Sequence, residues 1–215
     1  VDDRANLRLM DAWFRELEHC GFRHGTSLDL DFHSVPANSA AEPLEKHYVS
    51  SRSRRQLGIL VFLARDAEQR VLRYAQAGIP KAAQADQILR FAKFWKSHTG
   101  SLPTELVFDS QLTTHRNLSR LNAQGVHFIT LRRRSRKMLA EIFSTPSSAW
   151  RRITLDSLTR TFRTPRVLDQ SISLPGYDGT IRQLTVIDLG HEEPTVLLTN
   201  NLKISATALV TRYAQ

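Results

Sequence analysis

The sequence predicts an α/β fold, a mixed five-stranded sheet flanked by helices, with a β-rich insertion before a C-terminal helix. Three observations predict it. Three strand-like runs follow one another with no helix between them, which is an antiparallel start. The period then changes, and helical and strand-like runs alternate from residue 83 to residue 131. Beyond residue 131, short β-type runs separated by turn residues take over until a last helical stretch.

Taken in order, residues 4–20 carry Leu7, Met10, Trp13, Phe14 and Leu17 at three- and four-residue steps, and Gly21 stops that amphipathic helix. The stripe reads as core packing, as does Trp95 further on. Residues 27–33 alternate as a strand that contains Asp29, Asp31 and His33. Residues 34–56 hold Pro36, Pro43, several serines and Arg52, Arg54 and Arg55, and read as a long functional loop. Residues 57–64 and 70–76 are two further strands. Residues 83–98 place Ile88, Phe91, Ala92 and Trp95 on one helical face, with Gly100 and Pro103 as terminators. Strand 104–108 follows and is closed by Asp109. Thr113 or Thr114 caps a helix carrying Leu118 and Leu121 that stops near Gly125, and 126–131 is the next strand.

The insertion comprises β-type runs at 150–155, 159–163, 167–173 and 181–188, with a short helical turn at 137–143 and a turn cluster from Pro175 to Gly179. A run at 195–199 returns to the core, and Ser205 opens a helix through Leu209, Val210 and Tyr213. The expected organisation is an N-terminal helix (1–26), the first part of the core (27–131), the insertion (132–194), and a return strand with the start of a helix (195–215). The chain opens on Val-Asp-Asp without a methionine and stops inside a helical stretch, which predicts a piece of a longer protein.

Composition narrows the function. At 215 residues, 41% hydrophobic and 24% charged, the chain has an ordinary globular make-up. Its single cysteine, Cys20, excludes an intrachain disulfide framework and a cysteine-rich zinc site, and suits a reducing compartment. The longest apolar run, residues 57–64, is far too short to span a membrane, and no signal-peptide pattern is visible. The net charge of +9 is concentrated. Residues 111–170 hold twelve Lys/Arg against three Asp/Glu, and the rest of the chain balances at eighteen of each. The densest point is Arg132, Arg133, Arg134, Arg136 and Lys137. Such a field attracts a polyanion and gains from counterion release, so nucleic acid is the expected partner, against the plainer reading of a solvated loop on a basic protein. These five residues are the candidate DNA contacts, with Arg52, Arg54 and Arg55 as weaker ones.

The acids carry the chemistry. Aspartate is depleted in strands because its short side chain competes for backbone hydrogen bonds. Asp31 nevertheless sits inside the first strand, and Asp109 ends the fourth. The core order β-β-β-α-β-α-β matches the ribonuclease-H-like plan, in which the first strand is central and pairs with the fourth. That pairing makes Asp31 and Asp109 neighbours able to bridge divalent cations, ordinarily two Mg²⁺ (or Mn²⁺). Two ions about 3.5–4 Å apart stabilise both the attacking and the leaving oxygen at phosphorus.

Each residue also has a structural reading. Asp29 and Asp31 share a strand face and can both be solvent-facing acids, with a place behind the metal ligands as the functional alternative for Asp29. Asp109 can cap the turn at Ser110. His33 can orient a carboxylate or serve as a hydrogen-bonded structural histidine. Asn200 can stand near the site or hold a turn.

At Leu30-Asp31-Phe32-His33, at Glu105 to Ser110, at Gly125 to Arg132, and at Leu198-Thr199-Asn200-Asn201 leading to Tyr213, the sequence resembles DDE-type transposases of bacterial insertion sequences. The resemblance is to the group with a β-strand insertion between the second and third acids, and it runs from about Ser27 to Gln215. It implies metal-dependent DNA cleavage and strand transfer, with Asp31 as first acid and Asp109 as second. The third is a glutamate in a helix pattern of tyrosine, arginine three residues on and glutamate four beyond. Tyr213 fits the tyrosine, and the other two positions fall past Gln215. The resemblance further implies terminal inverted repeats and target DNA as partners, a homodimer on DNA and a cytoplasmic, nucleoid-associated location. Because the third acid is absent from these 215 residues, the chain by itself is expected to be inactive; a related nuclease that only hydrolyses DNA, and a catalytically inactive DNA-binding remnant, are the alternative readings.

Overall fold

The computed structural model describes residues 3–37, 44–49, 53–110, 112–155 and 163–215. The architecture is mixed α/β, and the chain forms two compact units, Val1–Asn117 and Leu118–Gln215. No helix among the described residues is long and apolar enough to cross a membrane.

The first unit is built on a strand long enough to serve several partners. β1 (Ser27–Pro36) and β3 (Arg54–Asp66, 13 residues) pair antiparallel from Leu28↔Asp66 to Pro36↔Gly58. The first half of β3 also takes β2 (Glu45–Val49), and its second half takes β4 (Leu72–Ala77), both antiparallel. Gly58 is where the chains crowd, since a Cβ there would stand 2.6 Å from the Val35 carbonyl oxygen. β1 receives β5 (Glu105–Phe108) in parallel, with Leu28 opposite Leu106 and Leu30 opposite Phe108. Ser27 Oγ donates to Glu105 Oε1 at 2.6 Å and pins that register.

Leu28, Leu30, Phe62, Ala64, Leu106 and Phe108 are buried, so the alternation of β1 and β3 is anchored by apolar packing. α1 (Asp3–His19) buries Asn6, Met10, Phe14 and Leu17, with Asn6 and Met10 hydrogen-bonded to Ala75 of β4 and Phe14 packed on Phe94 and Trp95. The buried face is therefore rotated from the expected stripe: Leu7 and Trp13 are exposed. The indole needs a partner for its N–H, and Trp13 Nε1 finds the Leu72 carbonyl at 2.7 Å at the edge of the contact. The expected helix over 83–98 is two helices, α2 (Lys81–Gln84) and α3 (Gln87–Thr99). Ile88, Phe91, Ala92 and Trp95 of α3 are buried as expected, and Gly100 ends it with φ +79°. The carbonyl of Ala85, in the break, accepts Thr113 Oγ1 at 2.7 Å and Asn117 Nδ2 at 2.8 Å, which ties down the start of α4 (His115–Ala123).

Entry into β1 is fixed by a buried charge pair. Asp66 and Arg73 are both fully buried, with Arg73 NH2 3.2 Å from Asp66 Oδ2. Asp66 also accepts the backbone N–H groups of Gly25, Glu68 and Gln69 at 2.8, 3.0 and 2.9 Å. Arg73 donates to the carbonyls of Phe22 and Arg23. A Cβ at Gly25 would meet Asp66 Oδ1 at 2.4 Å, so only glycine fits beside this carboxylate. The segment leading to β1 is thereby tied to the β3–β4 hairpin.

The second unit is a β-meander with helices. β6 (His127–Leu131) pairs β10 (Thr195–Thr199), which pairs β9 (Thr180–Ile187), then β8 (Arg166–Ser173) and the two-residue β7 (Arg151–Arg152), all antiparallel. Of the expected runs in the insertion, 150–155 is a strand only at β7. The run at 159–163 falls largely outside the described residues. The helical turn expected at 137–143 is a full helix, α5 (Arg136–Ser144), capped by Ser135 Oγ accepting from Met138 N at 3.2 Å. α6 (Ala206–Tyr213) is capped likewise, Ser205 Oγ accepting from Ala208 N at 3.0 Å.

Candidate active site

The register of β1 against β5 places the two acids. Leu30 lies opposite Phe108, so Asp31 and Asp109 are the next residues on two parallel neighbours. Both stand just past buried anchors, Leu30 and Phe108, and both are exposed. They line one cavity of about 420 Å³ in the first unit. Asp31 Oδ1 accepts the Phe32 N–H at 2.8 Å, and Asp109 Oδ1 accepts the Ser110 N–H. Each carboxylate is oriented by one oxygen through the residue that follows it.

The electrostatics fit two acids sharing a concave wall. Asp31 holds its proton above the ordinary aspartate range. Although the residue is exposed overall, its carboxyl lies within the cavity wall, and this partial desolvation is the largest cause. The Phe32 N–H and the nearby His33 oppose the shift, and the Asp109 charge adds to it. Oxygen donors of this kind suit hard cations such as Mg²⁺ and Mn²⁺. Among the described residues no group of three or more His, Cys, Asp or Glu is arranged to hold a metal ion.

The other acid on that face has a different occupation. Asp29 is ion-paired with Arg65, its register partner on β3, at 2.8 Å. His33 is exposed two positions beyond Asp31 and acts on it through charge.

The cavity also brings together residues that sequence reasoning missed: Lys46, His47 and Tyr48 of β2 and Lys81 of α2, beside Arg55 of β3. His47 is buried, with its Nε2 3.9 Å from Glu45 Oε2. Burial pushes its pKa down and the charge of Lys81 adds to this, against Glu45. Glu45 Oε2 in turn accepts the Lys81 N–H at 2.8 Å. The signal for β2 was present in the alternation of Lys46 and Tyr48 with His47 and Val49. It was masked by two prolines and by the polarity of the surroundings. Arg54 is exposed at the start of β3, and Arg52 lies outside the described residues.

The remaining candidates lie in the second unit. Arg132 is half-buried, its guanidinium on Gln183 Oε1, with its pKa lowered by desolvation. Arg134 bonds the Pro194 carbonyl at 2.8 Å and pairs with Glu193 at 2.7 Å. Two of the five clustered cations thus hold their own fold together, while Arg133, Arg136 and Lys137 are exposed. Asn200 is hydrogen-bonded to residues around the start of β6. Its Oδ1 accepts Phe128 N at 2.9 Å, and its Nδ2 donates to Val126 O and Asn122 Oδ1 at 2.9 Å each. Tyr213, near the end of α6, lines a cavity of about 400 Å³ with Val186, Leu197 and Val210.

Among solved structures, the chain is similar to a piggyBac transposase in a synaptic complex with hairpin DNA (TM-score 0.53, 13% identity). The match covers 99% of this chain and 44% of that one, so the chain spans less than half of the transposase's length. Endonuclease V of Ciona intestinalis bound to inosine-containing DNA aligns at TM-score 0.37 and 9% identity, over 99% of this chain and 89% of that one. The catalytic domain of human endonuclease V gives 0.38 and 10%, over 100% and 89%. No family model matches the chain, and no curated protein does.

Proposed function

We propose that this chain is the ribonuclease-H-like catalytic portion of a DDE-type transposase. It cleaves DNA phosphodiesters and joins the freed 3′ ends to target DNA at the ends of an insertion sequence. The observation that carries this reading is the register that sets Asp31, inside β1, beside Asp109, just past the end of parallel β5, in one cavity. The likeness in fold to the piggyBac transposase, whose structure holds hairpin DNA, supports it.

Asp31 and Asp109 are the residues that would hold divalent cations, and their oxygen donors suit Mg²⁺ or Mn²⁺. When bound, such ions neutralise charge at phosphorus and acidify a water or a 3′-hydroxyl. The chain's own groups prepare that site. The Phe32 and Ser110 N–H groups fix one oxygen of each carboxylate. Partial desolvation in the cavity wall, with a smaller addition from the Asp109 charge, keeps the proton affinity of Asp31 high. Lys46, Arg55 and Lys81 draw the phosphodiester toward the cavity. Asp29 is held by Arg65 and steadies β1 rather than acting as a ligand.

The test is nicking of supercoiled DNA with and without Mg²⁺, followed by joining of a pre-cleaved 3′ end. Protein that carries the glutamate the resemblance places past Gln215 nicks and joins, and Asp31→Asn and Asp109→Asn in it each lose at least about a hundredfold of both; residues 1–215 alone, with two carboxylates, cleave negligibly. Nicking without joining assigns the chain to the hydrolytic nucleases. DNA binding with no metal-dependent nicking by the longer protein leaves only the binding reading. Nicking that survives Asp109→Asn overturns the site.

A further inference from the structure

The β2–β3 ribbon presents a face that the carboxylate pair does not explain. Lys46 and Tyr48 are two positions apart, so they share a face of β2. Tyr48 stands directly opposite Arg55 and Lys46 directly opposite Leu57, which puts all four on the same side of the ribbon. All four are exposed, Tyr48 at 56% and Leu57 at 43%. The opposite face is the packed one, with His47 and Val49 buried. Packing among the described residues therefore does not account for the tyrosine ring.

Position gives the ring a use. Lys46, Tyr48 and Arg55 line the same cavity as Asp31 and Asp109. An exposed aromatic plane between two cations is the arrangement that takes a base on the ring and its flanking phosphates on the charges. Within a duplex the faces of the bases are covered by their neighbours, so such a ring meets only a base that has left the stack. A concave space of about 420 Å³ is also small for a duplex and open enough for a single strand.

We infer that Tyr48, with Lys46 and Arg55, forms a platform for an unpaired nucleotide of a DNA strand, beside the carboxylate pair. The inference rests on the proposed DNA-processing reading for its choice of DNA, and it names the form of DNA that reaches the site: a frayed or single-stranded end. The ring stacks the base, and the two cations hold the phosphates on either side of it.

The test is binding by the full chain, in EDTA, of a single-stranded oligonucleotide carrying 2-aminopurine and of its blunt duplex. Wild-type protein and Tyr48→Phe quench the single-strand fluorescence. Tyr48→Ala abolishes the quench and weakens single-strand binding by roughly tenfold, with duplex affinity unchanged within about twofold. The pair Lys46→Ala and Arg55→Ala lowers the salt slope for the single strand by about 1.4. Thermal melting of Tyr48→Ala checks that the exposed substitution leaves the fold intact. The inference is overturned if wild-type protein gives no quench, or if Tyr48→Ala leaves single-strand affinity unchanged or weakens both DNA forms alike. Cleavage that is indifferent to Asp31→Asn would sink the catalytic reading and leave these binding results standing.

Discussion

Replacing Arg73 with methionine tests whether the site depends on the buried tie at the entrance to β1. The substitution keeps the length of the side chain and removes its charge. It leaves Asp66 fully buried without its cation and strips donors from the Phe22 and Arg23 carbonyls. Breaking one side of a buried pair costs about 3–5 kcal/mol. At about 2–4 °C per kcal/mol for a chain of this size, the melting temperature should fall by roughly 6–20 °C. The double variant Asp66→Leu/Arg73→Met separates this account from that of a simple ion pair. A simple pair replaced by apolar groups is close to neutral. Here Asp66 also serves the Gly25, Glu68 and Gln69 N–H groups. The buried Gly25 donor, orphaned at about 1–3 kcal/mol, and the partly buried Glu68 and Gln69 N–H groups, which water can partly satisfy, keep the double variant at least about 1 kcal/mol below wild type. Urea unfolding of the three proteins measures this. A double variant as stable as wild type would show that the carboxylate acts only as a counter-ion, and that the segment entering β1 is held by something else.

Two further outcomes follow from the charges. The folded pKa of Asp31 is raised above 3.8, so its favourable contribution is complete below that value and is lost as pH rises through the folded pKa. At neutral pH the ionised group is a net cost. Asp31→Asn should therefore be slightly more stable than wild type near pH 7, an effect reduced by solvent screening, with the gap closing as pH falls through the folded pKa. A less stable asparagine variant in urea unfolding would mean that the charge has a favourable partner. In the second unit, alanine at Arg133, Arg136 and Lys137 together should lower the salt slope for duplex DNA by about 2.7 and weaken all sequences alike. Loss confined to one sequence in filter binding would make the patch a reader of bases.

The apolar periodicity carried most of this fold. Leu28 and Leu30 against Leu106 and Phe108 set the β1–β5 neighbour relation, and Ile88, Phe91, Ala92 and Trp95 set the face of α3. The acids were legible because a strand interior and a strand tip are poor places for aspartate. β2 was not, because an edge strand buries only alternate residues, here His47 and Val49, and looks polar in sequence. Lys46, Tyr48 and Lys81 were hidden with it, since their meeting in one cavity depends on tertiary pairing alone. Trp13 misled because an indole with a polar partner sits at the margin of a contact as readily as inside it. Charge density located Arg132 and Arg134, but a run of arginines does not reveal which are spent on Gln183 and Glu193.

The most direct measurement is diffraction from crystals grown with Mn²⁺, using the anomalous signal to find the ion. A peak held jointly by Asp31 and Asp109, and absent from crystals of Asp109→Asn, is the expected result. Manganese bound elsewhere, or at the same place in the variant, would contradict the idea that these two carboxylates make the site.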